Sequence, residues 1–464
     1  MTPFDNHAST AEMQALDAAH HVHPFSDTAE MRKRGARVIT RGDGVWLTDS
    51  EGARILDGMA GLWNVNIGYG RQELAEAAAR QMRQLPFYNT FFMTTHPPAV
   101  VLSEKLAEIA PEGINRVMYA SGGSEANDTN IRLVRHYWAN IGKHSKTTII
   151  ARKNAYHGST MGAGSLGGMA AMHAQGGMPI PGITHIDQPH WWAEGGEHSP
   201  EEFGLACARQ LEVEIDRLGE HNVAAFIAEP VQGAGGVIIP PETYWPEISR
   251  ICAEREILLI ADEVICGFGR LGQWFGSQHY DIRPDIVTIA KGMSSGYQPI
   301  GGSLLREEVA QAIEDGGDFN HGYTYAAHPV AAAVALENIR LMQEEGVVEY
   351  VRSRKAPYLQ AKWTTLTDHP MVGDARMVGL MGALELTPDK AARASFPDTG
   401  SVGLMTRERC FANGLVMRHV GDRMIISPPL CITEREIDQL INLAWKSLDE
   451  GMAEAKAAGL FLPA

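Results

Sequence analysis

Two residues that can take part in chemistry each follow an apolar run of strand length. Lys291 follows residues 286–290, and Asp262 follows residues 257–261. Lysine and aspartate are costly to desolvate and normally lie on solvated surfaces. The carboxyl ends of parallel strands meet at one edge of a sheet, where α/β proteins bind ligands. We therefore expect the amine and the carboxylate to face one site, and the alternative is two ordinary surface charges beyond core strands.

An amine opposite a carboxylate is the arrangement that pyridoxal phosphate needs. The cofactor's aldehyde forms a Schiff base with a lysine, and its ring nitrogen needs an acidic partner to stay protonated and act as an electron sink. The pair predicts pyridoxal 5'-phosphate as the cofactor, with Lys291 and Asp262 as the catalytic residues. Glu229, followed by Pro230, ends a further apolar run and is expected at the same edge.

A glycine-rich turn, Ser121-Gly122-Gly123-Ser124, lies between an apolar run and an amphipathic helical pattern. Backbone N–H groups and the positive end of the helix dipole together bind phosphate. We predict that Gly123 and Ser124 bind the cofactor phosphate and that Ser124 adds a hydroxyl donor. The alternative is a simple N-cap, with a serine hydroxyl satisfying the first amides and Glu125 complementing the dipole.

Two further side chains are placed to enclose a cofactor ring. Tyr156 follows the run that ends at Ala151 and is predicted to stack on one face of the pyridine ring, although a lone tyrosine is more often a core residue. Val264 follows Asp262 by two positions and is predicted to cover the opposite face.

Two other patterns suggest different sites, and both are weak. Residues 267–272 match G-x-G-x-x-G, but Gln273-Trp274-Phe275 follows where a dinucleotide site needs a helix. His20, His21 and His23 lie close together in the sequence. Because no carboxylate or cysteine partner recurs at ligand spacing, and adjacent histidines point in different directions, we predict no metal site.

Several motifs together resemble the class III pyridoxal-phosphate aminotransferases of fold type I. The resemblance covers residues 44–429. The matching segments are 121–126, 156–158, 261–272 and 290–292. Within that class, residues 61–70, 321–325 and 328–329 resemble the omega-amino acid or amine:pyruvate branch.

The resemblance implies a role for each matching residue. Lys291 would form the Schiff base and move a proton between substrate and cofactor, and Asp262 would hold the ring nitrogen protonated. The other implied cofactor contacts are Tyr156 and Val264 on the ring, Gly123 and Ser124 on the phosphate, and Tyr323 and Thr324 on the phosphate of a neighbouring subunit. One departure is the Gly122-Gly123 pair, where many members have a single glycine flanked by Ser or Thr.

The resemblance also implies a substrate pocket and an oligomer. Trp63 and Tyr156 would line the pocket, and Arg418 would be a mobile arginine that pairs with a substrate carboxylate. The alternative for Arg418 is a surface cation on an edge strand. Active sites in this family are shared between subunits, so the resemblance implies a homodimer, with pairing of dimers into tetramers left open.

The predicted reaction transfers an amino group from an amine or omega-amino acid to pyruvate or a similar 2-oxo acid by a ping-pong mechanism. Two alternatives use the same lysine and aspartate: decarboxylation-dependent transamination of a dialkylglycine, and an intramolecular aminomutase. A third is a non-catalytic nucleotide or phosphate binder in which Lys291 is structural.

Composition excludes other classes of protein. The formal charge of the 464-residue chain is −16 with no basic stripe, which argues against nucleic acid as a partner. No apolar stretch is long enough to span a membrane, and residues 1–7 lack the features of a signal peptide, so we expect a cytoplasmic protein. The five cysteines show no C-x-x-C pair, which favours reduced thiols over disulfides or zinc.

From about residue 70 to 330, helical patterns alternate with strand-like apolar runs, which predicts an α/β domain with a mostly parallel sheet that positions these residues. The resemblance implies that this sheet has seven strands. We expect a meander at 1–65, a large cofactor domain at 66–330, and a smaller α+β domain at 331–464 that the meander joins. The predicted strands are 38–40, 45–48, 54–56, 116–119, 147–151, 224–228, 257–261, 286–290, 378–386 and 416–428. The predicted helices are Gln72–Gln84, 99–109, 125–138, 203–218, 246–256 and Pro329–Glu344.

Overall fold

The structure is a computed structural model that describes residues 9–461. Residues 1–7, on which the signal-peptide prediction rests, lie outside this range. Within the range, no helix is both long and apolar enough to cross a membrane. The cytoplasmic location stays a prediction.

Three β-sheets organise the described residues. A meander near the N-terminus contains β1 (Ile39–Asp43), β2 (Trp46–Asp49) and β3 (Arg54–Asp57). The central sheet contains β4 (Ile114–Ala120), β5 (Thr148–Arg152), β6 (Ile183–Ile186), β7 (Val223–Ala228), β8 (Leu258–Asp262), β9 (Ile286–Ile289) and β10 (Gly301–Arg306). The remaining strands are β11 (Val372–Val378), β12 (Met381–Leu386), β13 (Leu415–Val416), β14 (Arg418–Val420) and β15 (Arg423–Ile426).

The central sheet has the order β4-β10-β9-β8-β7-β5-β6, and only β10 runs antiparallel to its neighbours. Every residue of β7, β8 and β9 is buried, because helices cover both faces of a parallel sheet. This burial explains their uninterrupted apolar runs. The predicted seven-stranded, mostly parallel sheet of fold type I is confirmed.

Two central strands were not located by the sequence patterns. β6 has only four residues, and β10 begins with Gly301-Gly302, which is typical of a loop. The glycines have a packing reason: a Cβ on Gly301 would lie 2.7 Å from the backbone of Gly122. The close approach places β10 directly behind the predicted phosphate turn.

Helices surround these sheets. They are α1 (Thr10–His20), α2 (Thr28–Arg34), α3 (Ala60–Trp63), α4 (Gln72–Gln84), α5 (Pro97–Ile109), α6 (Gly123–Asn140), α7 (Met161–Leu166), α8 (Ala170–His173), α9 (Trp191–Glu194), α10 (Pro200–Leu218), α11 (Tyr244–Glu254), α12 (Gly276–His279), α13 (Glu307–Asp315), α14 (Pro329–Glu344), α15 (Val347–Tyr350), α16 (Ala356–Thr364), α17 (Ser401–Ala412) and α18 (Glu434–Ala457). Short 3₁₀ turns occupy Glu220–Asn222, Lys291–Met293 and Thr365–Asp368, and a π-helical turn occupies Val351–Lys355.

Helix boundaries follow local capping chemistry. The predicted bounds of α4 and α14 match the structure. α10 begins before its predicted start because Ser199 and Glu202 form a capping box and Pro200 occupies the first turn. α6 begins at Gly123, two residues before the predicted start, so the glycine-rich turn lies in its first turn.

Two long predicted strands are wrong in detail. The strand predicted at 378–386 begins only at Met381, after a reversal at Gly379 that separates it from β11. The strand predicted at 416–428 is three short strands, with β14 and β15 forming a hairpin around Gly421. Both glycines have positive φ, which permits a tight reversal of the chain. The spacing of apolar residues along the sequence does not reveal such a reversal.

The meander extends into the C-terminal part of the chain. β13 pairs parallel with β3, with Leu415 opposite Leu56. Residues distant in sequence therefore complete one four-stranded sheet. The domain boundaries at 65 and 330 stay predictions.

Candidate active site

Lys291 lies at the carboxyl end of β9, as its sequence position predicts. It opens a 3₁₀ turn with φ of 44°, a conformation that is costly for a residue with a side chain. Burial lowers the pKa of Lys291 to about 8, against the opposing effect of the Asp262 and Glu229 carboxylates. Within residues 9–461 the amine has no hydrogen-bond partner. Such an amine is available as a nucleophile near neutral pH.

Asp262 ends β8, the strand beside β9, and pairs in register with Thr288. Its carboxylate is buried and held at both oxygens. Oδ2 accepts hydrogen bonds from Asn127 Nδ2 at 2.8 Å and from His157 Nδ1 at 2.7 Å. Oδ1 accepts one from the amide of Val264 at 3.1 Å. These donors fix the orientation of a carboxylate that faces the same site as Lys291.

The glycine-rich turn forms the amino end of α6, an 18-residue helix with no side-chain cap. The amides of its first turn therefore have no intrahelical or capping acceptor. The N-cap alternative is wrong for the serines: Ser124 Oγ accepts instead from the amide of Ser159 at 3.1 Å. Glu125 does stabilise the turn, since its Oε2 accepts a hydrogen bond from the amide of Ser121 at 2.8 Å.

Tyr156 and Glu229 are joined at the same edge of the sheet. The Tyr156 amide donates to Glu229 Oε1 at 3.2 Å, and Glu229 Oε2 accepts from the amide of Gly233 at 2.9 Å. Desolvation raises the pKa of the buried Glu229 carboxyl. The Tyr156 ring is half-buried, and its hydroxyl lies 3.0 Å from Ser159 Oγ. Glu229 thus positions the tyrosine through its backbone.

Arg418 lies on β14 close to this group. Desolvation lowers its pKa, and the nearby Tyr156 opposes that change. Its positive charge in turn lowers the pKa of Lys291, which places the guanidinium within electrostatic range of the amine. Among residues 9–461 no carboxylate pairs with it. An unpaired, partly buried guanidinium is suited to bind an external carboxylate.

Trp63 packs in the apolar cluster that also contains Ile265, the neighbour of Val264. It is 2% exposed, has φ of 66°, and its indole N–H lacks a partner among the described residues. The ring is therefore covered by other side chains of that cluster, and its predicted place in the substrate pocket stays a prediction.

Comparisons with known proteins agree on one family. The model of the family "Aminotransferase class-III" matches residues 28–447. The chain belongs to the class III aminotransferases. It is 58% identical to a putrescine–pyruvate aminotransferase of Pseudomonas aeruginosa, over 97% of this chain and 98% of that protein.

Solved structures place this aminotransferase among the omega-transaminases. An (S)-enantioselective omega-transaminase from Thermomicrobium roseum superposes with a TM-score of 0.93 at 42% identity, covering 96% of this chain and 99% of that one. The omega transaminase of Pseudomonas jessenii in complex with PMP superposes with a TM-score of 0.94 at 38% identity, with the same coverage. The predicted family, fold and aminotransferase activity are confirmed.

The residues of the aminotransferase fit its cofactor, pyridoxal 5'-phosphate. Lys291 offers an unpartnered amine, Asp262 a fixed carboxylate, and α6 a set of free amides. A Cβ on Gly123 would lie 3.1 Å from Val264 Cγ2, so the glycine keeps the space beside Val264 open. The predicted cofactor is confirmed by the family, and the assignment of individual residues stays a proposal.

Tyr323 and Thr324 lie beside the phosphate turn of their own chain. The Tyr323 hydroxyl donates to the carbonyl of Glu125 at 3.2 Å, and Thr324 is exposed. Their predicted contact with a neighbouring subunit's phosphate stays a prediction.

Sequence reasoning missed the donors to Asp262. Asn127 and His157 both lie next to residues that were interpreted, and the polar residue type at each position was the available signal. Both side chains are buried in the structure, where polar groups need hydrogen-bond partners. It also missed Phe25, whose ring meets that of Tyr156 edge-on with centroids 6.2 Å apart. No local pattern connects these two positions.

Proposed function

We propose that this aminotransferase takes its amino group from a linear aliphatic diamine such as putrescine and delivers it to pyruvate by a ping-pong mechanism. The similarity to the Pseudomonas aeruginosa enzyme over nearly the whole of both chains carries this proposal. The broader reaction transfers an amino group from an amine or omega-amino acid to pyruvate or a similar 2-oxo acid.

Arg418 supports a keto acid as the acceptor. Its guanidinium has no carboxylate partner within residues 9–461, so a pyruvate carboxylate does not have to displace an existing ion pair. A bidentate pair with a carboxylate is short, directional and stronger than a neutral hydrogen bond. The half-exposed guanidinium can turn toward water when an amine without a carboxylate is bound.

Aromatic rings support a donor with a second ammonium group. Tyr156 and Phe25 form an edge-to-face pair at the site, and Phe25 is strongly exposed. A cation placed over an aromatic face gains about 0.5–2 kcal/mol, with the larger value where water is excluded. A diamine could therefore present one amine to Lys291 and its distal ammonium to these rings.

The geometry supports a chemical role for each of these residues. When bound, pyridoxal phosphate supplies the electron sink that stabilises a carbanion next to the reacting nitrogen. Lys291, with its lowered pKa, accepts and returns the proton at that carbon. Asp262 provides the negative charge for the ring nitrogen, while Asn127 and His157 prevent it from turning away.

We also propose a homodimer. Phe87, Tyr88, Phe92, Met93 and Tyr325 are large exposed apolar or aromatic residues, and the rings of Phe87 and Tyr325 lie 5.8 Å apart. Clustered exposure of this kind marks an interaction surface. The patch adjoins Tyr323 and Thr324, which supports an active site shared between subunits.

A panel of amine donors tests the reaction. Purified holoenzyme is incubated with pyruvate and, in turn, with putrescine, an omega-amino acid and an aryl-alkyl amine, and alanine is measured. We expect alanine with all competent donors and the highest kcat/KM with putrescine. Release of carbon dioxide from a dialkylglycine, or turnover without any acceptor, would instead support the alternative reactions.

A further inference from the structure

Three side chains that can bind a metal ion meet near the N-terminus, and none of them is assigned to the cofactor. Asp17 lies in the last turns of α1, His21 caps the carboxyl end of that helix, and His23 follows it. Asp17 Oδ1 lies 3.0 Å from His21 Nδ1 and 2.9 Å from His23 Nε2. All three ligand atoms lie within 4.8 Å of one another.

The donor set has the chemistry of a transition-metal site. Imidazole and carboxylate bind zinc at about 2.0–2.2 Å, so ligand atoms around a tetrahedral ion lie about 3.3 Å apart. The two separations from Asp17 Oδ1, 3.0 and 2.9 Å, are close to that spacing, and the two imidazole nitrogens lie within 4.8 Å of each other. Two imidazoles with one carboxylate favour Zn²⁺ or its transition-metal neighbours over Mg²⁺, which prefers oxygen ligands. The His21 side chain is exposed and those of Asp17 and His23 are partly exposed, which leaves the remaining coordination positions to water.

The sequence analysis found no carboxylate partner for these histidines, but Asp17 lies one helical turn before His21. In a helix, residues i and i+4 share a face, and His23, which follows the helix, also contacts the Asp17 carboxylate. A carboxylate near a helix carboxyl end is also unfavourable toward the dipole. A bound cation would relieve this repulsion.

We propose that Asp17, His21 and His23 form a binding site for a divalent transition-metal ion, with Zn²⁺ as the representative ion. The bound ion would tie the segment before Phe25 to α1. α1 is itself anchored, since Thr10 Oγ1 lies 2.8 Å from Ser50 Oγ and Gln14 Nε2 donates to Ala36 O at 2.9 Å. The ion would therefore restrain the segment that brings Phe25 against Tyr156. The site does not depend on which amine is the donor.

Calorimetric titration of tag-free holoenzyme with Zn²⁺, after treatment with a chelator, tests the site. We expect one ion per chain, and loss of one ligand in His21→Ala or His23→Ala should weaken binding by at least about tenfold to a hundredfold. His20→Ala is the matched control, since His20 is exposed and outside the cluster, and it should bind as the parent does. Mg²⁺ should not bind there.

A second measurement separates this site from zinc bound elsewhere. Hydrogen exchange of the amides at residues 18–26 should slow on addition of Zn²⁺ in the parent and in His20→Ala, but not in the double variant His21→Ala/His23→Ala. Unchanged thermal midpoints without metal would show that the variants are folded. Absence of stoichiometric binding by the parent, or equal binding and protection in the double variant, would overturn the proposal.

Discussion

The proposed chemistry depends on one amine, that of Lys291, whose charge is set by burial. The pKa of Lys291 is lowered to about 8 from its ordinary value near 10.5, and only the neutral amine attacks an aldehyde. We expect the rate at which the apoenzyme incorporates pyridoxal phosphate to rise with pH and to level off above about pH 8. Stopped-flow absorbance measures this rate.

Lys291→Ala provides the control for that pH profile. The variant should bind cofactor only noncovalently, show no borohydride-reducible chromophore and have no multiple turnover. Lys153→Ala, an exposed lysine paired with Asp187, should retain the parent profile. A pH-independent rate in the parent would contradict a neutral-amine requirement near pH 8.

The Asp262 carboxylate is expected to act through its charge. Asp262→Asn keeps the size of the side chain but removes the negative charge that we propose for the partner of the ring nitrogen. Loss of one electrostatic stabiliser of this kind typically lowers kcat by about a hundredfold to a thousandfold. Steady-state kinetics measures the loss, and the exposed Asp281→Asn is the control. Activity within a few-fold of the parent would assign Asp262 a different role.

Arg418 is expected to act in only one half-reaction. Loss of a charge-assisted bidentate contact costs about 1.5–3 kcal/mol, or roughly tenfold to a hundredfold in affinity. Arg418→Ala should raise KM for pyruvate by this factor, while single-turnover reaction with a simple amine changes little. Equal losses in both half-reactions would show that Arg418 is structural.

At the scale of elements, a buried ion cluster holds the loop that follows Glu229. Glu385 on β12 pairs with Arg376 and hydrogen-bonds His190, each at 2.8 Å. Arg376 and Arg423 donate to backbone carbonyls of residues 235–237. Since Gly233 in the same loop donates to Glu229, the cluster supports the contact that positions Tyr156.

Glu385→Gln should destabilise the protein in a pH-dependent way. Burial acts to raise the pKa of Glu385, but Arg376, His190 and Arg423 outweigh it and lower the pKa to about 2. Its stabilisation is therefore present above the ordinary pKa near 4.5 and is lost as the pH falls through about 2. Breaking a buried ion pair costs about 3–5 kcal/mol.

Denaturant unfolding at neutral pH measures this difference in the free energy of unfolding. Because protonated Glu385 also lacks its charge, the difference between parent and variant should shrink as the pH falls toward 2. Glu349→Gln alters an exposed glutamate and is the control. An unchanged free energy of unfolding in Glu385→Gln would mean that the cluster contributes no net stability.

The elements that could be predicted are those whose burial leaves a continuous or periodic apolar pattern. β8 and β9 are buried throughout, so their ends, and with them Asp262 and Lys291, were located from sequence. β10 was not located, because it begins with two glycines instead of the apolar residues of a strand pattern. Gly301 is needed there for the close approach to Gly122. The donors Asn127 and His157 were missed because their common partner, Asp262, is distant in sequence.

At the scale of the whole molecule, the exposed apolar patch supports the proposed homodimer. Phe92 and Met93 are 92% and 107% exposed, and their φ angles are 53° and 62°. Bulky residues in the left-handed region are strained by about 1–3 kcal/mol and persist where other contacts hold them. In the proposed dimer, a second copy of the chain would bury both side chains and stabilise this conformation.

Phe92→Asp is therefore expected to weaken the dimer and to reduce activity together, because a charge cannot be buried cheaply in an apolar interface. Light scattering after size-exclusion chromatography measures the mass, and alanine formation measures activity at the same protein concentrations. Activity should recover as concentration rises if the active site is shared. Val213→Asp, which alters an exposed apolar residue on α10, should leave both unchanged. A parent enzyme that is active as a monomer would refute the shared site.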